Sequence, residues 1–180
     1  MELEIEKTYL LKYIPQDLLR FPSKQYLDIY IPESAVHPTL RIRKRGNEYE
    51  ITKKYPIVDG DASQQHEHTI SLDNEEYLAF EAKIRGKRAE KIRFFYKFKR
   101  YNTEIDIYQG DLAGLALVDF EFNSKEEMDS FTPPDFCLAD VTQEKIMAGG
   151  MIVGKTYQEI ALRLNKYDYK PIYLPADFII

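Results

Sequence analysis

Alternation of apolar and polar positions dominates the first two thirds of the chain. Residues 2–11, read with the period of two that a strand imposes, put Glu2, Glu4, Glu6 and Thr8 on one face and Leu3, Ile5, Lys7 and Tyr9 on the other. The same period predicts strands over 24–31 (ended by Pro32), 40–44, 48–54, 66–72, 90–100, 103–109 and 117–123. Gly46-Asn47 is the expected turn between the third and fourth strands, and Tyr101-Asn102 the turn of a later pair. Residues 56–63, with Gly60 and two aspartates, form a loop, and a short helix or turn is expected near 15–20. A helix is predicted over 74–83 with Leu78 and Ala82 on its buried face and Gly86 as its breaker. Capping-type starts, Ser-Lys-Glu-Glu and Thr-Gln-Glu-Lys, open further helices at 124–130 and 142–148, and another is expected over 156–165. Hairpins with few helices give an antiparallel α+β fold. With no repeat or linker in view, the expected organisation is one domain over 1–165 and a Tyr- and Pro-containing tail, 166–180, packed on it.

The polar faces carry more information than the strands themselves. Arg41 and Arg43 share a face opposite Leu40 and Ile42; Lys91 and Arg93 lie opposite Ile92 and Phe94. Glu104 and Asp106 oppose Ile105 and Ile107, and Asp119 and Glu121 oppose Phe120 and Phe122. On an ordinary one-sided sheet the polar face is merely wet and mixes both signs. Here whole strands are acidic or basic. Such sorting is expected if the charged faces point inward around a closed antiparallel barrel of eight strands, a tunnel with helices covering the apolar outside.

Composition narrows the classes. The chain has 180 residues with 44% hydrophobic content, enough for a folded core. Its net charge of −5 hides 25 basic and 30 acidic side chains, a near balance that argues against a stable nucleic-acid complex. Cys137 is the single cysteine, and the charged start lacks an apolar signal segment, so the expectation is a cytoplasmic protein without membrane contact.

Three carboxylates in line on the first strand need water and counter-ions, or a hard divalent cation such as Mg2+ or Mn2+. Arginines and lysines at 41, 43, 54, 91 and 93 suit a polyanion, Arg through bidentate contacts to phosphate oxygens. Acids in the same cavity would repel phosphate unless a cation lay between, and the combination is the equipment of phosphoryl transfer. Other chemistry finds less support. Cys137 has no neighbouring base; His66 and His68 share a face that reads as an exposed edge; Gly154-Lys155-Thr156 lacks the spacing of a phosphate loop.

Taken in order, these segments resemble the CYTH domains of the triphosphate tunnel metalloenzyme superfamily. Glu4-Ile5-Glu6-Lys7-Thr8 resembles the opening ExExK strand, Gln25-Tyr26-Leu27 the second strand, and Leu40-Arg41-Ile42-Arg43 with Ile51-Thr52-Lys53-Lys54 the LRIR…LTxK hairpin. Lys91-Ile92-Arg93, Glu104-Ile105-Asp106, Asp119-Phe120-Glu121 and Asp140-Val141-Thr142 are similar to the later motifs, so the resemblance runs over about 2–165. It implies a tunnel enzyme that hydrolyses a linear triphosphate, most simply inorganic tripolyphosphate, with Mg2+ or Mn2+. It implies Glu4, Glu6, Asp119 and Glu121 as metal-side acids, with Glu67 and Asp106 as further members of the acidic set. Arg41, Arg43, Lys54, Lys91 and Arg93 would clamp the phosphates, with catalytic roles for Glu6, Lys91 and Arg93. Thiamine or nucleoside triphosphatase, class IV adenylate cyclase and a non-catalytic triphosphate sensor stay open, as does a homodimer. Two departures stand out: the family's inward lysine falls at Thr8, with Lys7 expected to point outward, and Ile146 to Gly150 replace a Tyr and Asn.

Overall fold

The computed structural model describes residues 2–178, apart from the side chain of Glu2, whose expected place on the polar face lies outside the described residues, as do the last two residues of the tail. Its strands are β1 Glu2–Leu11, β2 Ser23–Ile31, β3 Leu40–Arg45, β4 Glu48–Pro56, β5 Gln64–Leu72, β6 Lys87–Phe98, β7 Tyr101–Gln109, β8 Ala116–Glu121 and β9 Cys137–Asp140. Four helices are set among them: α1 Asn74–Lys83, α2 Lys125–Asp129, α3 Gly149–Ile152 and α4 Tyr157–Leu164. The first eight strands pair antiparallel in the order β5-β4-β3-β2-β6-β7-β8-β1, and β1 returns to β5, closing the barrel.

Closure depends on how β1 divides its edges. Residues Glu6 to Leu10 pair with β8, Glu2 to Ile5 pair with β5 on the other side, and β9 takes over from β5 at Tyr9 to Leu11. Among the described residues, closure leaves the far half of β5, residues 68–72, paired on one side, a short remnant of the edge that otherwise templates aggregation. Directly paired residues share a sheet face, so the registers locate the lumen. They align Glu6 with Glu121, Thr8 with Asp119 and Glu104, Arg93 with Asp106, and Lys91 with Tyr26 and Tyr108. On the other half they align Asp28 with Arg43 and Glu50, Tyr30 with Arg41 and Thr52, and Lys54 with Glu67. The inward faces are the charged ones.

The apolar faces therefore build the core on the outside of the barrel. Phe120, wholly buried, sits at its centre, 4.6 Å from the Phe131 ring, 5.9 Å from Tyr9 and 6.3 Å from Phe136. Ser124 caps α2 as expected, accepting from the Glu127 amide, and Thr156 caps α4 with Glu159 in a reciprocal box. Beyond α4 the chain stays on the barrel. Tyr169 is buried, its hydroxyl accepting from Ala116 N at 2.7 Å and donating to Gly114 O at 2.9 Å, while Ile172 N donates to the same carbonyl.

Several expectations are corrected. The helix over 142–148 is a short 3-10 turn, Lys145–Met147, because Thr142 spends its hydroxyl on Asp140 and on the Thr8 backbone instead of capping. Residues 137–140, for which the period of two predicts no strand, form β9 against β1. The β6–β7 turn falls on Lys99 and Arg100, with Lys99 at φ 54°, and not on Tyr101-Asn102. In α1 the buried residue is Tyr77, its ring 4.8 Å from that of Tyr49; Leu78 is 50% exposed, so its face looks to water. Helix α1 ends at the Ile84 cap, and Gly86 serves the next strand: a Cβ there would lie 2.6 Å from Tyr30 O. His66 and His68 do lie on the outer face; His66 is paired on both sides, whereas the exposed His68 sits where β5, among the described residues, pairs with β4 alone and is an edge as expected. Helices leave the outside of β4 and β5 partly bare, with Ile70 64% exposed. No described helix is long and apolar enough to cross a membrane.

Removing the ring at the centre of the outer core tests this arrangement. Phe120→Ala should cost about 3–5 kcal/mol in urea unfolding, a loss that Phe120→Leu largely avoids.

Candidate active site

One wall of the lumen, built by β2, β3, β6 and β7, holds its cations in carboxylate forks. Arg93 donates from Nε and Nη2 to the two oxygens of Asp106 at 2.7 and 2.6 Å, ion-pairs with Glu104, and stands 3.8 Å from Asp119. Lys91 ion-pairs with the same Asp106. Arg43 donates from Nε and Nη2 to Asp28 at 2.6 and 2.8 Å, and its Nη1 lies 3.7 Å from Glu50. Arg41 donates to the Tyr30 hydroxyl at 2.9 Å and approaches Glu67 at 3.9 Å. The ring of Tyr26 supports three of these groups, with Arg43, Arg93 and Lys91 at 4.8, 5.1 and 5.7 Å from its centroid. Burial pushes Asp28 and Asp106 up, but the adjacent Arg43 and Arg93 charges override it and hold both far below the usual carboxylate range. Lys91 moves the other way: burial, reinforced by the Arg93 charge, lowers its ammonium to about 8.

The opposite wall, from β1, β5 and β8, is acidic. Lys54 reaches in from β4, ion-pairs with Glu4, and lies 3.4 Å from Glu67 and 3.9 Å from Glu6. Thr8 donates its hydroxyl to Asp119 at 2.7 Å. Glu6 and Glu121 face each other in register, an arrangement that is unfavourable for like charges. Burial, then the neighbouring Glu6 and Asp106 charges, raise Asp119 to about 7. Burial also raises Glu4, Glu6 and Glu121, against the pull of Lys54 and with added repulsion from their neighbours.

Among the described residues, no three carboxylate, histidine or cysteine groups stand close enough to enclose a cation as they are. The Lys54 ammonium is what stands among Glu4, Glu6 and Glu67. The donor set nevertheless fits Mg2+ or Mn2+. It consists of the carboxylates of Glu4 and Glu6 on β1 and of Asp119 and Glu121 on β8, each pushed up by burial and by its acidic neighbours.

Every residue implied for the site projects from the lumen face: Glu4, Glu6, Glu67, Asp106, Asp119 and Glu121 among the acids, Arg41, Arg43, Lys54, Lys91 and Arg93 among the bases. They fall into two groups that the sequence pattern does not separate. Asp106 belongs with the bases, locked between Lys91 and Arg93, whereas Glu67 stays with the acids near Lys54. Lys7 points out as expected, into an external cavity of about 680 Å³ that it lines with Lys125, Asp61 and Thr142. Asp28, Tyr26 and Tyr30 are lumen residues that sequence reasoning passes over, and Glu50, on the polar face of β4, lies in the lumen beside Arg43. The one signal is Asp28 itself, a carboxylate alone in the apolar strand Tyr26-Leu27-Asp28-Ile29-Tyr30.

No family model matches the chain. Over 145 residues it is 32% identical to the inorganic triphosphatase of Nitrosomonas europaea, covering 79% of this chain and 91% of that protein. The chain belongs to this inorganic triphosphatase family, within the CYTH superfamily. A crystal structure of an inorganic triphosphatase matches with a TM-score of 0.62 at 25% identity, over 84% of this chain and 95% of the other. A provisionally named adenylate cyclase from Bacillus halodurans shares the fold, with a TM-score of 0.54 at 15% identity over 98% and 97% of the two chains. At the position aligned with the lysine of the ExExK pattern this chain has Thr8, whose hydroxyl donates to Asp119 at 2.7 Å.

The raised titration of Asp119 gives a signed prediction. Its folded value of about 7 lies above its ordinary 3.8, so between those values the native state holds a proton that the unfolded chain has lost. Its contribution to stability is full below about 4 and falls as pH rises toward 7. In EDTA, wild-type melting temperature should decline from pH 5 to pH 8 more steeply than that of Asp119→Asn. Parallel curves would refute the assignment.

Proposed function

We propose that this chain hydrolyses a linear inorganic triphosphate with Mg2+ or Mn2+ bound on the acidic wall. The observation that carries the reading is the division of one closed lumen into a guanidinium- and ammonium-lined wall and a facing wall of carboxylates short of counter-charge. A phosphate chain with an associated divalent cation satisfies both walls at once; a bare anion or a bare cation satisfies one. Substrate of the inorganic kind is favoured because the aromatic faces in the lumen are taken. Tyr26 carries three cations and Tyr108 carries Lys91, so neither offers a free ring on which a base could stack.

Glu4, Glu6, Asp119 and Glu121 would hold the cation, which when bound screens the phosphate charge from the carboxylates and withdraws electron density from phosphorus. Arg41, Arg93 and Lys91 grip and align the chain, and Lys54 exchanges its carboxylate partners for a phosphate oxygen. A water oxygen bonds to the terminal phosphorus while the bond to the bridging oxygen breaks, releasing orthophosphate and diphosphate. Glu6 stands on the carboxylate side to orient that water. Lys91 Nζ, lowered to about 8, is placed to give the departing oxygen a proton near neutral pH, and Arg93 stabilises the charge that builds on the equatorial oxygens. We place the activity in the cytoplasm: the sole cysteine, Cys137, is a half-buried thiol pushed up to about 12 by burial, suited to a reducing compartment.

Phosphate release from tripolyphosphate, ATP and thiamine triphosphate, each with Mg2+, Mn2+ or EDTA, decides the reading. Metal-dependent release should be greatest with tripolyphosphate and vanish in EDTA. Glu6→Gln should lower kcat by about 10²-fold or more, the usual scale for loss of one catalytic group. Lys91→Met should do the same and also flatten the alkaline limb of the pH profile. Absence of turnover with tripolyphosphate still raising the melting temperature would make the chain a triphosphate sensor, with Thr8→Lys the variant expected to restore chemistry.

A further inference from the structure

Strands β2 and β3 place an inward residue opposite an inward arginine twice in succession, with different outcomes. Asp28 stands opposite Arg43, and Tyr30, one inward position along, stands opposite Arg41. Asp28 takes Nε and Nη2 of Arg43, the edge with which a guanidinium makes bidentate contacts, at 2.6 and 2.8 Å. Asp106 takes the same edge of Arg93 at 2.7 and 2.6 Å. Arg45, the next inward residue of β3, lies 3.2 and 3.3 Å from Glu48 and Glu50. Arg41 is held the other way round. Its Nη1 donates to the Tyr30 hydroxyl at 2.9 Å, and its Nη2 lies 3.9 Å from Glu67. Its Nε is buried and has no hydrogen-bond partner among the described residues.

A buried donor on a cation is costly to leave unsatisfied, and a phosphate oxygen is a partner that would satisfy it. We propose that Tyr30 is a positioning residue: by holding Arg41 through Nη1, it keeps the Nε–Nη2 edge open for a phosphoryl group. The inference rests on the triphosphatase reading and deepens it. A neutral hydroxyl can do this where a carboxylate cannot. An acid in its place would draw the bidentate edge to itself, as Asp28 does with Arg43. The nearest competing acid is engaged elsewhere, since Glu67 accepts from the Thr69 hydroxyl at 2.8 Å and lies 3.4 Å from Lys54. Tyr30 is in turn fixed from behind by α3. It is only 6% exposed, and a Cβ on Gly149 would lie 2.5 Å from its hydroxyl oxygen, so glycine there leaves the hydroxyl where Arg41 finds it.

The experiment is calorimetric binding of tripolyphosphate to the whole protein in EDTA, where the carboxylate wall carries no metal. Tyr30→Phe keeps the ring and removes the hydroxyl. It should weaken Kd about tenfold, the scale of one charge-assisted hydrogen bond lost to the ligand. In an Arg41→Met background the same change should move Kd by less than about twofold, because the effect is routed through Arg41. A packing role for the tyrosine would persist there. In a Glu67→Gln background the loss should shrink to about threefold or less, because the released guanidinium has no charged acid to turn to. Gly149→Ala, which crowds the hydroxyl without removing it, should weaken binding as Tyr30→Phe does and add nothing once Tyr30→Phe is present. A Kd unmoved by Tyr30→Phe, a loss undiminished in either background, or additive losses from Gly149→Ala and Tyr30→Phe would overturn the assignment. Wild type that binds tripolyphosphate without hydrolysing it in Mg2+ or Mn2+ fails the activity reading and leaves this comparison to decide the role of Tyr30. Wild type that binds no linear phosphate overturns both.

Discussion

Charges taken out of water must find partners, and that requirement organises this molecule more than its hydrophobic core does. A desolvated ion costs several kcal/mol unless a counter-charge meets it in good geometry. The barrel encloses Asp28, Arg43, Glu50, Lys91, Arg93 and Asp106, all buried. It tolerates them because antiparallel register sets Arg43 across from both Asp28 and Glu50, and Arg93 across from Asp106. A one-residue slip of any of these strands would turn its charges into the outer apolar layer and bring apolar side chains into the lumen. The ion pairs thus act as a check on register. Phe94, Ile105, Val118 and Phe120 apply the same check from outside.

Pairing is tighter on one wall than on the other. Forks such as Arg93–Asp106 are stiff and already satisfied, so they set the shape of the tunnel before any ligand arrives. The acids of β1 and β8 share too little positive charge, and Lys54, a point charge on a flexible stem, is their main resource. On the proposed reading, a ligand that brought a divalent cation to the acids would free Lys54 for phosphate. The same ammonium would then serve the carboxylates at rest and the substrate during turnover, with part of the binding energy coming from relief of repulsion among the acids.

Most of the barrel and its charged lining are legible in the sequence. Sorted charge on alternating faces has few explanations, and Glu4, Glu6, Arg41, Lys54, Arg93 and Asp119 recur in an ordered pattern. The partition of Asp106 from Asp119 is not legible. Both are acids between apolar neighbours, and only the pairing of β6 with β7 sets Asp106 against Arg93. Asp28 escapes because β2 has aromatic residues on its inner face and aliphatic ones on its outer face, so no polar stripe marks the lumen side. The false helix at 142–148 has a sound capping motif, but a tertiary partner claims the cap: Thr142 is held by Asp140 and the Thr8 backbone. Local signals fail where a long-range bond uses the same atoms.

Thr8 joins these threads. An ammonium at that position would neutralise Asp119 permanently and would compete with a metal for its oxygens. A hydroxyl can only donate one hydrogen bond, at 2.7 Å, leaving the carboxylate charge to be met by Arg93 at 3.8 Å or by a cation from solution. The threonine also fixes its own strand, since its amide donates to Thr142 and its carbonyl accepts from Val141, so its side chain cannot drift to make room for a substitute. On the proposed reading, threonine in place of the lysine would shift responsibility for Asp119 from the protein to its ligand. A tunnel so built should depend more steeply on divalent cation and on pH than one with a lysine there, because no ammonium at this position buffers either.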